Sequence, residues 1–208
     1  CQQYTPALIE RSYRVLDLNF VDPQASNCGY DPLDWVKKPC DITFLARAVV
    51  NLDQRKDHTF ADPFWDEQAV SLLSAEIGLV RSTSKYPSFE EVLALQESLS
   101  LSEDAVSDGG ILTTLDNRFR QLADSNANPT AINCWRSFRE LPRRTAGCVF
   151  GVLNTMLDAV FTPELRALMH RSTHIDLERL ATEKTVLFVT TSAVNPTLHS
   201  YVNLFYSQ

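Results

Sequence analysis

The sequence predicts a mainly helical chain held between two strand-bearing flanks. Three observations carry that reading. Near the start, Tyr13-Arg14-Val15-Leu16-Asp17-Leu18-Asn19-Phe20 alternates apolar and polar residues, the period of a half-covered strand. Near the end, Thr185-Val186-Leu187-Phe188-Val189-Thr190-Thr191 is β-branched and aromatic, and its near-continuous apolar run suggests a strand covered on both faces. Between them lie stripes with the helical period. Two strands cannot form a self-sufficient sheet, so the flanks read as pieces of a larger α/β domain into which a helical block is inserted. The divisions fall at 1–38, 39–182 and 183–208.

Each element has a local signal. Thr5 to Glu10 reads as the end of a helix. The first strand stops at Val21-Asp22-Pro23, because Pro lacks the amide proton a ladder needs. Asn27, Gly29, Asp31-Pro32 and Lys38-Pro39 make 24–39 an ordered loop. Asp41 is the expected N-cap of a helix with Ile42, Leu45, Ala46, Val49 and Val50 on one face. Residues 52–61 are charged and without period, a surface connection. Asp62-Pro63 places an N-cap before a Pro at the first helical position, and Trp65, Ala69, Leu72, Leu73, Ile77 and Val80 carry that helix to about Arg81.

Ser88 and Glu91 have capping-box spacing for a helix to about Leu99. Leu112, Leu115, Phe119 and Leu122 mark the next, and Asn128-Pro129 opens another that bears Ile132 and Trp135 and ends before Pro142. Ala146, Val149, Phe150, Leu153, Leu157 and Val160 form the longest stripe. Thr162-Pro163-Glu164 caps a short helix, and Asn195-Pro196 a final one with Leu198, Tyr201, Val202 and Phe205. Trp65 and Phe150, on the two strongest stripes, are both expected to be buried.

Composition narrows the function. Of 208 residues, 44% are hydrophobic and 22% charged, which excludes disorder over most of the chain. Nineteen Lys and Arg against 26 Asp and Glu leave a net charge of −7. That balance argues against a primary clamp on a nucleic-acid backbone but leaves room for one basic patch. No apolar run approaches the roughly 20 residues that span a bilayer. The five cysteines (1, 28, 40, 134, 148) are scattered with no C-x-x-C pair, so reduced thiols serving mostly as core filler are expected. A chain that opens at Cys1 without Met and ends within an apolar stretch reads as cut from a longer protein.

Catalytic motifs are missing. The only spacing comparable to a phosphate loop, Gly147 to Gly151, lies mid-helix without a following Lys and reads as a helix-packing pair. Asp22 at a strand end could hold magnesium, but an Asp-Pro turn is the better explanation. His170 and His174 have metal-ligand spacing but no adjacent Glu, and read as surface histidines at a helix end. No catalytic, cofactor-binding or metal-binding residue is expected. One cluster stands out: Arg136, Arg139, Arg143 and Arg144, beside Trp135 and Phe138. Arginine forks bind carboxylates and phosphates through paired bonds, so this is the candidate partner surface. The competing reading is a buried Trp135 under solvated arginines.

The residues together resemble the TraG/TraD-like coupling proteins of conjugative type IV secretion. Arg11 to Pro23, followed by Ser26 and Tyr30-Asp31-Pro32-Leu33, is similar to that family's strand and following loop. Ala61-Asp62-Pro63-Phe64-Trp65 with Ala69 and Leu72-Leu73 matches a second motif, and Leu177-Glu178-Arg179-Leu180 with Lys184 to Val189 a third. Ser12 and Asp31 stand where the family usually has Gly and Asn. The resemblance implies an incomplete RecA-like α/β motor domain carrying an inserted all-α substrate-recognition domain. It implies that the whole protein is an ATP-driven DNA translocase, a homo-hexamer anchored at the cytoplasmic face of the bacterial membrane, with ATP and magnesium bound outside this soluble fragment. It names as partners a relaxase or relaxosome protein, with DNA as a second candidate, and the secretion channel. A stand-alone helical adaptor without catalytic activity, whose strands pair with a partner chain, is the alternative.

Overall fold

The computed structural model describes residues 3–52, 62–100, 110–125 and 127–208, and is mainly helical with one small sheet. The charged connection over 53–61, the stretch 101–109, Cys1 and the side chain of Leu112 lie outside what is described. Helix α1 (Thr5–Glu10) turns into strand β1 (Arg14–Asn19) through Ser12, whose φ of 62° is left-handed. Gly adopts that conformation freely and an L side chain does so at a cost.

Strand β2 (Thr185–Thr190) pairs with β1 in parallel, Leu16 opposite Leu187 and Leu18 opposite Val189. A parallel pair needs a long crossover, which the helices between the strands supply. Leu16 and Leu18 are buried on one face of β1, as the alternation predicts. Strand β2 differs from expectation: every residue in it is only half-buried, so one face of the pair is left partly uncovered.

The helices are α2 (Pro39–Val50), α3 (Pro63–Thr83), α4 (Phe89–Ser100), α5 (Gly110–Asp124), α6 (Pro129–Arg139), α7 (Arg143–Val160), α8 (Pro163–Arg166), α9 (Leu177–Thr182) and α10 (Pro196–Ser207). Helix α3 is the axis of the bundle. From Ala69 to Val80 almost every side chain is buried, because α2, α4, α5, α6 and α7 all pack on it. Gly78 allows the closest approach: a Cβ there would lie 2.3 Å from the Ala131 Cβ and 2.8 Å from Asn128 Nδ2. Asn128, left-handed at φ 56°, caps α6 by accepting from the Ala131 amide at 3.3 Å while donating to the Gly78 carbonyl at 3.3 Å.

Several local expectations change. Pro39, not Ile42, opens α2, so Asp41 is no N-cap; its carboxylate reaches back to the Lys37 and Lys38 amides at 2.9 and 2.8 Å. Asp62 does cap α3, accepting from Phe64 N at 3.0 Å. Ser88 Oγ accepts from Glu91 N at 3.3 Å, but Glu91 accepts from the Ser84 hydroxyl rather than closing a capping box. Trp65 and Phe150 are partly buried against the core rather than within it. Among the described residues nothing lies within 4 Å of where a Cβ at Gly147 or Gly151 would sit, so they are no packing pair. Of the described cysteines only Cys28 is fully buried, and Cys40 and Cys148 are exposed.

One continuous apolar core joins bundle and sheet. At their junction the ring of Tyr201 in α10 meets the edges of Phe20, Tyr30 and Phe161, each with centroids 5.6 Å apart. Phe161 stacks in turn on Phe89 at 4.6 Å. Among the described residues, no helix is long and apolar enough to cross a membrane.

Candidate functional site

The four arginines flank the short turn from α6 to α7, and the structure gives them two different roles. Trp135 and Phe138 are buried on the inner face of α6, with Trp135 stacked on Phe119 of α5 at 4.7 Å and 9°. The Trp135 indole N–H donates to Asp116 Oδ1 at 2.8 Å. Arg139 grips the same carboxylate with two bonds of 3.0 Å, Nε to Oδ1 and Nη2 to Oδ2. Asp116 therefore ties α5 to α6, and Arg139 is occupied in holding it. Nothing in the sequence reveals this pair, whose members lie 23 residues apart on different helices.

Arg136, Arg143 and Arg144 are exposed, and among the described residues none has a carboxylate partner. Arg136 lies in the last turn of α6, where the helix dipole favours a cation. Arg143 and Arg144 occupy the first turn of α7, which contains no acidic residue and has Pro142 at its N-cap with no side-chain hydrogen bond. Their charges oppose the positive end of that dipole. An anion docking on this turn would offset both the unpaired guanidinium groups and the uncapped helix end.

Other candidates resolve into structure. Asp22 is exposed and opens a 3-10 turn, with its carbonyl accepting from Ala25 N at 3.0 Å. His170 and His174 do not converge. His170 is exposed, 3.9 Å from Glu90, whereas His174 is half-buried and not a surface residue as expected. Its Nδ1 lies 2.5 Å from Asp34 Oδ2 and its Nε2 3.1 Å from the Met169 carbonyl. Two acceptors favour the imidazolium, and the bond to Asp34 raises the pKa. No cluster able to hold a metal occurs among the described residues.

The seam between loop and bundle contains a residue read from sequence only as part of a loop. Asp31 is buried, and its Oδ1 accepts from Leu33 N at 2.7 Å and Phe89 N at 3.1 Å, with Oδ2 also accepting from Phe89 N at 2.9 Å. Burial outweighs these amide bonds and raises its pKa to about 6. Arg166 of α8 holds Glu90 and Glu97 of α4 nearby. These contacts fasten the α4 end of the bundle to the loop after β1; they complete no catalytic constellation.

A search of curated proteins gives no match. A family profile described as type IV secretory system conjugative DNA transfer matches residues 9–208, nearly the whole chain. The strand–loop–bundle–strand order described above therefore lies within the matched region, and the chain belongs to the family of conjugative DNA-transfer proteins of type IV secretion systems.

Proposed function

We propose that this chain is the substrate-recognition region of a coupling ATPase. In this reading the all-α block (39–182) is inserted between strands of a RecA-like motor domain represented by 1–38 and 183–208, and its α6–α7 turn receives the relaxase–DNA complex. ATP and magnesium act elsewhere in the motor, which works as a hexamer at the cytoplasmic face of the membrane and hands its substrate to the secretion channel. Family membership supports the process. The observation that carries the recognition role is the presence of three exposed, unpaired arginines on one turn of a chain whose net charge is −7. Charge-assisted arginine forks there would bind an anionic surface, more weakly as salt rises.

The test reverses Arg143 and Arg144 to Glu in the complete protein and measures thermal stability together with transfer of the mobile element. Because both side chains project from the fold without partners, and Glu suits the positive end of the α7 dipole, the melting midpoint should not fall and should rise slightly. Transfer should fall by about tenfold or more, the scale of one lost charge-assisted bond. Normal folding with normal transfer would return these arginines to the role of a solvated face.

A further inference from the structure

In the middle of α3, Glu76 is fully buried among apolar neighbours. Among the described residues its polar company is the carboxamide of Gln96 on α4, also buried, which continues to Asn154 on α7. Gln96 Nε2 donates to Asn154 Oδ1 at 2.7 Å. The other end of the Gln96 carboxamide meets the Glu76 carboxyl, 3.1 Å from Oε2 and closer still to Oε1, and its oxygen and N–H₂ can exchange places there. With the amide oxygen towards it, a neutral Glu76 donates its O–H to Gln96 Oε1 while Gln96 Nε2 donates to Asn154 Oδ1. An ionised Glu76 needs the opposite arrangement: Gln96 must turn its N–H₂ to the carboxylate, and Asn154 must turn over to donate in its place.

The surroundings favour the neutral form. Among the described residues, charged side chains on the helices packed against α3 either pair elsewhere, as Arg47 of α2 with Glu67, Arg118 of α5 with Thr83, Arg139 of α6 with Asp116 and Glu97 of α4 with Arg166, or are exposed, as Arg136, Arg143 and Arg144. Asp158 of α7 is exposed, one turn beyond Asn154. Burial alone moves the Glu76 pKa, and moves it well above the ordinary carboxyl range.

We propose that Glu76 is a proton-operated latch on the helical bundle. With its proton it closes the seam of α3, α4 and α7 through Gln96 and Asn154; when the proton is lost to solvent, both amides must reverse or α4 must lift from the axis to admit water. The seam thus couples local pH to the packing of α4, which also carries the contacts to Asp31 and Arg166.

The sign of the effect is fixed by linkage. The folded state holds this proton more tightly than the unfolded chain, so stability is greatest below the ordinary carboxyl pKa. It declines as pH rises from there to the folded value, by up to about tenfold in the folding equilibrium per pH unit. The experiment uses the 13C-labelled 208-residue chain, with the Glu76 side-chain carboxyl resonance identified by its loss in E76Q. At pH 7 that resonance should show a neutral acid, and urea titrations across pH 5 to 9 should show the wild type losing stability relative to E76Q. A carboxylate resonance at pH 7, or equal pH slopes for the two proteins, would overturn the proposal. The wild-type resonance decides alone if E76Q fails to fold, because Glu76 can then be assigned through its backbone.

Discussion

The sheet end and the helical end of this molecule finish their surfaces differently. On β1 the edge away from β2 is closed by the loop that follows it. Asp17 N donates to Asn27 Oδ1 at 2.8 Å, Asn19 N to Ser26 Oγ at 2.8 Å, and Asn27 Nδ2 to the Val15 carbonyl at 3.1 Å. On β2 the outer edge is taken up only at its start, where Thr185 N donates to the Glu183 carbonyl at 2.8 Å; no described residue bonds it at Leu187 or Val189. Carbonyls of Lys184 and Thr190 face β1, accepting from Arg14 N and Phe20 N, so Leu187 and Val189 present their amides outward. The bundle, by contrast, wraps α3 on every side and ends in charged turns. The difference supports a sheet that continues beyond β2, as in the proposed motor, and a helical block that is complete in its core.

The largest expected effect breaks the bundle side of this comparison. Phe89 is fully buried and stacked on Phe161. Truncation to Ala should cost about 3–5 kcal/mol, lowering the urea midpoint of bundle and sheet together because they share one core. Loss of the sheet signal alone, or of neither, would show that the two ends are not coupled through this stack.

Next in size is the seam. Asp31 titrates near 6 when folded, against 3.8 ordinarily. Its raised value means that stability is fully present below the unfolded pKa and is lost as pH rises through the folded one, about 3 kcal/mol in all. His174, also raised, adds a loss in the same direction at higher pH. Asp31→Asn keeps an oxygen where Oδ1 accepts from Leu33 and Phe89, so it should flatten the decline between about pH 4 and 6. Melting curves at stepped pH would read it, and an unchanged decline would remove Asp31 as its source.

What the sequence made legible follows from how local each signal was. Asp62-Pro63, Asn128-Pro129 and the stripe of Ile42, Leu45, Ala46, Val49 and Val50 act within one or two turns, and the structure bears them out. Trp65 and Phe150 misled because α3 is buried on all sides only from Ala69 onward, and because α7 turns the face holding Gly147 and Gly151 to solvent. Glu76 carries no local signal of burial, since only the packing of α4 and α7 encloses it. The arginine cluster was visible as charge density. Its division into a fastened Arg139 and three unpaired neighbours depends on Asp116, which only the tertiary fold brings near.

The comparison between the two sheet edges can be read directly by residue-resolved amide hydrogen exchange on the 208-residue chain. Both strands belong to the same parallel pair, so global unfolding protects them equally, and a difference must come from their outer edges. The amides of Asp17 and Asn19, accepted by Asn27 and Ser26, should exchange slowly. Those of Leu187 and Val189, facing outward from β2, should exchange faster by about tenfold or more, and should become protected in the complete protein. Equal protection of the four amides in the 208-residue chain would contradict the view that β2 is the edge at which this sheet continues.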